Sequence, residues 1–143
     1  MCGIFGYNGD KKSAAEIVFI GIKSLEYRGY DSWGIAVKEI SNTLKSNHSI
    51  FIKKRVGKIG LANIDDLPPG NIAIGHTRYS TTGSSESSKN IQPFTVNYRM
   101  GNLAIAHNGN LTNAKQLREE LVNDGAIFQT TSDTEIIIHL IAF

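Results

Sequence analysis

Met1-Cys2-Gly3-Ile4-Phe5-Gly6-Tyr7 opens the chain, and Cys2 is its only cysteine. The stretch reads as a strand over Cys2–Tyr7, closed by the turn residues Asn8, Gly9 and Asp10. Removal of Met1 leaves a cysteine that owns both a thiol and a free α-amino group. An α-amine has a pKa of roughly 7.7–8.0, near enough to neutral to take the proton of its own thiol. One N-terminal residue can thereby supply nucleophile and general base together. A small residue after Met1 permits its removal, so this chemistry needs no propeptide. The plainer reading makes Cys2 a buried small hydrophobe at the head of a strand, and position alone favours it.

The chain has 143 residues, enough for one domain with a real core and too few for two. Hydrophobic residues make up 41% and charged residues 20%, the balance of a globular protein in water. A net charge of +2 is too small to argue for nucleic acid. The short run Lys53-Lys54-Arg55 reads as a solvated edge beside a strand. One cysteine allows no internal disulfide, which together with the absence of a signal-peptide pattern points to a cytoplasmic setting. The apolar stretch from Ile17 to Ile22 is too short to span a membrane.

Further along, Ser13-Ala14-Ala15-Glu16 is a capping-box pattern, and Ala14, Val18, Ile22 and Leu25 recur at helical spacing. A helix is expected to about Tyr27, then an interruption at Arg28-Gly29-Tyr30-Asp31-Ser32. Strands are expected from Trp33 to Lys38, from Ile50 to Lys53, from Asn71 to Thr77, from Phe94 to Asn97 and from Gly101 to His107. The Ser/Thr/Gly-rich stretch from Ser80 to Ser88 is a loop between them. A second helix is predicted from Thr112 or Asn113 to about Gly125. Ser132-Asp133-Thr134-Glu135 is another capping-box pattern, leading into the apolar run Ile136–Ile141.

Several clusters have chemical potential beside a plain structural role. His107-Asn108-Gly109-Asn110 follows a strand and offers an Asn amide and a glycine backbone, which suit an oxyanion; Asn-Gly is also a turn signal. Arg78, at a strand end, could fork onto a carboxylate, with Thr81 or Thr82 adding hydroxyls; its plain role is a surface ion pair. Asp133 could receive an ammonium group, or serve only to complement a helix dipole.

Taken together, Cys2-Gly3-Ile4-Phe5-Gly6, Arg28-Gly29-Tyr30-Asp31-Ser32, Gly75-His76-Thr77-Arg78-Tyr79-Ser80-Thr81-Thr82-Gly83, His107-Asn108-Gly109-Asn110-Leu111 and Ser132-Asp133-Thr134-Glu135 resemble the class II glutamine amidotransferases. These are N-terminal-nucleophile hydrolases, and the five blocks stand in the family's order. The resemblance implies an α+β fold, an αββα sandwich of two mostly antiparallel sheets between helix layers. It implies hydrolysis of the glutamine amide through a glutamyl thioester on Cys2, releasing ammonia for transfer. Asn108 and Gly109 match the oxyanion pair, Arg78 the holder of the α-carboxylate and Asp133 the holder of the α-ammonium. Thr81 matches a contact on a loop that closes over glutamine, which begins at Tyr79. Arg28 and Gly29 match a segment that shapes the nucleophile's surroundings. Paired anchors at both charges of the α-carbon would tell glutamine from asparagine by where the amide falls.

The family implies no cofactor or metal for this domain, glutamine as substrate, and no nucleic-acid or membrane partner. It also implies an acceptor domain or subunit to receive ammonia, and it leaves homo-oligomerisation open. Residues 1–143 are expected to form one glutaminase domain, apparently incomplete at the C-terminus, with no acceptor domain. Within the family two branches are mixed. Leu25-Glu26-Tyr27-Arg28-Gly29-Tyr30-Asp31-Ser32 resembles the glucosamine-phosphate-forming enzymes. Arg78 to Gly83, Gln92-Pro93-Phe94, Asn108 to Asn113 and Ile127 to Thr131 resemble the amidophosphoribosyltransferases of purine synthesis. The later blocks are longer, and the purine branch is favoured. Trp33 departs from the small residue usual in both branches.

Two rival classes stand beside this reading. One is a papain-like hydrolase in which His48, His76, His107 or His139 serves Cys2; it would survive retention of Met1. The other is a binding or regulatory module of the same fold without turnover. Metal binding is disfavoured, because one cysteine and scattered histidines show no ligand spacing.

Overall fold

The computed structural model describes residues 1–40, 49–79 and 88–143. Along the chain run β1 (Gly3–Asn8), α1 (Ala14–Ser24), a 3-10 turn (Glu26–Arg28), β2 (Ser32–Glu39), β3 (Ile50–Val56) and β4 (Gly70–Arg78). They are followed by β5 (Phe94–Tyr98), β6 (Gly101–Ile105), α2 (Ala114–Asn123) and α3 (Asp133–Ala142). The first four strands form one antiparallel sheet in the order β1-β4-β2-β3, and β5 and β6 form a second. The expected elements are all present, with ends shifted by one to three residues.

Strand alternation divides the larger sheet's two faces between two layers. Phe5, Tyr7, Trp33, Ile35, Val37 and Ala73 face α1, whose Ala14, Ala15, Val18 and Ile22 complete the main core. Each fully buried Ile or Val there stabilises the fold by about 1.5–3 kcal/mol. Trp33 belongs to this layer. It is 1% exposed and meets the ring of Phe19 on α1 edge-on at 6.1 Å, so the departure at that position is a packing feature. The alternate residues look the other way, where Ala36, Ile72, Ile74 and Ala104 line a small cavity of about 150 Å³ between the sheets. With α3 packed on β5 and α2 on α3, the layers run helix, sheet, sheet, helices. That is the expected αββα arrangement.

Three local expectations need correction. Ser13 caps no N–H of α1 with its side chain; its backbone is bridged to Gly70 instead, and α1 stops at Ser24 before the 3-10 turn. At α3 the box forms by half. Ser132 accepts from Thr134 N, but Glu135 turns away from Ser132 and takes the N–H groups of Gln129 and Thr130. Lys53, Lys54 and Arg55 lie inside β3 rather than beside it. β3 is an edge strand, yet Lys54 is half-buried with its ammonium 5.0 Å from the Phe94 ring centre, and burial lowers its pKa.

His76, on the inter-sheet face of β4, is wholly buried. Neither ring nitrogen has a hydrogen-bond partner among the described residues. Burial disfavours the imidazolium and lowers the pKa from 6.5 to about 4. The unfolded chain therefore binds more protons between these values, and stability falls as the pH falls. This contribution is complete above pH 6.5 and is lost as the pH falls through about 4. Between pH 7.5 and 4.5 the loss is about 2–3 kcal/mol. Urea titrations at the two pH values should show it, and His76→Gln should remove most of that difference. An equal pH dependence in both proteins would show that His76 is not its source.

Candidate active site

The larger sheet places Cys2 and Arg78 together. β1 and β4 are antiparallel with Gly3 opposite Thr77, so one step further the register sets Cys2 opposite Arg78. Alternation turns both toward the second sheet, because Gly3 and Thr77 point toward α1's side. There β6 ends at Ile105, and the chain turns through His107, Asn108, Gly109 and Asn110 beside Cys2. The start of α3 brings Asp133 to the same place. Cys2, Arg78, Tyr79, Asn108, Gly109 and Asp133 thus line one open cavity of about 570 Å³. That lies within the usual range for small-molecule sites.

The Cys2 backbone is held from two sides. Arg28 Nε donates to the Cys2 carbonyl at 3.0 Å, and Asn108 Nδ2 donates to the same oxygen at 3.2 Å. An Asn amide has two N–H donors, so Asn108 keeps one for a second acceptor. Met1 lies in the cavity as well, its sulfur 3.9 Å from an Arg28 terminal nitrogen. Gly29 acts on Arg78: a Cβ at position 29 would stand 2.6 Å from the Arg78 carbonyl carbon, so no larger residue fits without moving that backbone. Asp31 N adds a hydrogen bond to Arg78 O at 3.0 Å. Tyr79 stacks edge-on with Tyr30 at 5.7 Å beside the cavity.

Asp133 has a structural task in addition to its charge. Its Oδ2 accepts from Leu111 N at 2.9 Å, tying the end of the 107–110 turn to α3. The rest of α3's entry is pinned by Arg118, which donates to Thr130 O and Ser132 O and lies 4.1 Å over the Phe128 ring. Arg78 and Asp133 therefore present opposite charges to one cavity whose wall carries a thiol and an amide donor. A zwitterionic amino acid with a side-chain carbonyl is the ligand chemistry that such a wall suits.

Of the residues singled out in the sequence, Thr81 lies outside the described residues, as does His48. Arg28 and Gly29 act at one remove, through Cys2 O and the Arg78 backbone. Asn90, Gln92, Thr131 and Ser132 line the cavity without having been singled out as site residues, and His107, a candidate only as a partner for the thiol, lines it too. Gln92 stood inside a quoted block and Ser132 inside a capping pattern; Asn90 carried no signal. None of the described histidines hydrogen-bonds the Cys2 thiol. His107 Nδ1 faces Thr134 Oγ1 at 3.5 Å, and His139 lies between the rings of Phe128 and Phe143. A Cys–His pair is not formed among these residues. No three of the described His, Cys, Asp and Glu residues converge to hold a metal ion, and no described helix is long and apolar enough to cross a membrane.

Residues 63–142 match the glutamine amidotransferase domain family. The chain belongs to this family. It is 42% identical over 141 residues to the chloroplastic amidophosphoribosyltransferase 2 of Arabidopsis thaliana, covering 99% of this chain and 24% of that protein. Against an amidophosphoribosyltransferase of Lacticaseibacillus casei the identity is 42% over 142 residues, 98% of this chain and 70% of the relative. A glutamine–fructose-6-phosphate aminotransferase (isomerizing) of Pyrococcus horikoshii is 43% identical, over 99% of this chain and 22% of its own length. That is the weaker match of the two kinds; its alignment of 145 positions exceeds this chain's length, so gaps interrupt it. A solved structure of the allosteric regulatory enzyme of purine biosynthesis superposes with a TM-score of 0.85 at 38% identity, over 99% of this chain and 29% of that one. This glutamine amidotransferase domain thus spans about a quarter of the length of the first of these relatives.

Proposed function

We propose that Cys2, once Met1 is removed, hydrolyses the side-chain amide of glutamine. The supporting observation is the convergence of Cys2, Arg78, Asn108, Gly109 and Asp133 on one cavity from four separate elements and turns. In this reading Arg78 pairs with the α-carboxylate and Asp133 with the α-ammonium, and together they fix where the amide carbonyl falls. The α-amine of Cys2 takes the thiol proton as sulfur attacks the amide carbon. Negative charge on the oxygen is met by the free Asn108 N–H and the Gly109 backbone. The C–N bond then breaks, the α-amine returns its proton to the departing nitrogen, and ammonia leaves a glutamyl thioester. Water attacks the thioester carbon, glutamate leaves and the thiol is restored. No cofactor enters these steps.

Because the chain covers about a quarter of the first relatives, the fate of the ammonia belongs to the wider protein. We assign it to amidophosphoribosyl transfer in purine synthesis, in an acceptor domain or subunit outside residues 1–143. The similarity to amidophosphoribosyltransferases along the chain and the superposition on the purine enzyme support this parentage over the glucosamine-phosphate branch. A cytoplasmic setting is part of the same proposal. The test is release of glutamate and ammonia in equal amounts from glutamine by the chain freed of Met1. A thioester adduct on Cys2 should be trapped by acid quench and seen by mass spectrometry. The Met1-bearing chain should do neither; equal turnover by both forms would overturn the N-terminal mechanism.

A further inference from the structure

Gln92 takes no part in the steps above, yet it faces the cavity and is only 8% exposed. Strands β5 and β6 pair from Tyr98 opposite Gly101 down to Phe94 opposite Ile105. Continued by two residues, that register sets Gln92 against His107. The backbone ladder stops short of this pair, since the Gln92 carbonyl faces β2 at Gly34 rather than β6. The Gln92 side chain supplies the missing acceptor: its Oε1 takes the His107 N–H at 2.6 Å.

The other end of Gln92 is anchored in the larger sheet. Its carbonyl oxygen would lie 2.2 Å from a Cβ at Gly34, so β2 and the Gln92 backbone touch where only glycine fits. Pro93, the next residue, is fully buried. A short buried bridge therefore runs from the central strand β2, through Gln92, to the backbone of His107. His107 is the residue before Asn108 and Gly109. The far end of the turn is held separately, by Leu111 N on Asp133. Near the start of the turn, the His107 ring reaches Thr134, but a ring contact does not set the height of the following backbone.

We propose that Gln92 is the positioning residue of the Asn108–Gly109 oxyanion site. This rests on the glutamine-hydrolysis reading for its kinetic consequence, though not for the bridge itself. Charge on the amide oxygen develops only as sulfur attacks, so a misplaced donor pair weakens the transition state and leaves ground-state binding by Arg78 and Asp133 intact. The signature is a loss in kcat without a matching change in KM.

Gln92→Met keeps length and bulk while removing the acceptor. In the full chain freed of Met1, kcat for glutamine should fall about 10- to 100-fold, with KM within roughly threefold of the parent. Alkylation of Cys2 by iodoacetamide builds no oxyanion and should keep its rate. Amide exchange at His107, followed by NMR, should speed up by about tenfold or more as its buried bond is lost. If the Met variant does not fold, Gln92→Asn, which withdraws the acceptor by one methylene, carries the same expectations. Unchanged kcat, a rise in KM alone, or alkylation falling in step with kcat would each overturn the assignment. Should the parent itself release no glutamate, the hydrolysis reading fails; His107 exchange still decides whether Gln92 holds the turn.

Discussion

Cys2→Ala, in protein freed of Met1, should lower glutamate release by about 10⁴-fold or more while leaving the fold and glutamine binding in place. The size follows from the proposed role, in which the thiol is the atom that bonds to carbon. The specificity follows from how the residue is held. Arg28 and Asn108 grip the Cys2 carbonyl, a main-chain atom that alanine keeps. The thiol makes no hydrogen bond among the described residues and Cys2 is only partly buried, so its removal should cost about 1 kcal/mol of stability or less. Glutamine should still protect the variant against thermal unfolding, through Arg78 and Asp133. Rates are measured by coupled detection of ammonia and binding by the rise in melting temperature. Residual turnover within tenfold of the parent would remove Cys2 from the mechanism.

Asp133→Asn should raise KM for glutamine by about 100-fold, equivalent to about 2.7 kcal/mol, with kcat changed far less. The substitution separates the two tasks of this side chain. An Asn carbonyl can still accept from Leu111 N, as Asp133 Oδ2 does at 2.9 Å, so the 107–110 turn keeps its tether. What disappears is the negative charge that the proposed binding mode sets opposite the substrate's ammonium. A small stability loss accompanies it, because Asp133 opens α3 where the helix dipole favours an anion, an effect of about 0.3–1 kcal/mol. Discrimination should weaken in a telling way: an analogue lacking the α-amino group, already a poor substrate for the parent, should lose little more in the variant. A loss of equal size for glutamine and that analogue would return Asp133 to a purely structural role. Steady-state kinetics with both substrates decides between them.

Much of this architecture was legible because its determinants are local. Short strand-like runs next to turn or break residues marked β1, β2 and β4, and the Val18–Ile22 spacing marked α1. The placing of Cys2, Arg78, Asn108, Gly109 and Asp133 in one site came from motif resemblance, and the register of β1 on β4 supplies its physical reason. Position by position, the misses have a common cause. Ser13 and Glu135 carry the right residue types for capping boxes, but the backbone at Ser13 is drawn into a bridge with Gly70, and the Gln129–Thr130 backbone takes the Glu135 carboxylate. Lys54 looked like a solvated edge charge, and only the second sheet's Phe94 reveals its buried stem. Gln92 was quoted for parentage alone, since its bond to His107 joins residues on separate strands through a ladder that has run out. Trp33 looked anomalous against small residues and is explained by Phe19, on the helix that crosses its face.

The pairing of β1 with β4 also fixes an order of events during synthesis. Among the described residues β1 has β4 as its one neighbour in the sheet, and Gly3 must wait for Thr77. At 5–20 residues per second, the roughly 70 residues between them take about 4–14 s to be made. Throughout that interval β1 has no strand partner among the described residues. Arg28 exists early to hold the Cys2 carbonyl, β4 pairs next, and Asn108 reaches the same oxygen only after it has been made. The non-local topology that makes such a sheet slow to fold thus also makes the cavity around Cys2 one of the last parts of it to be assembled.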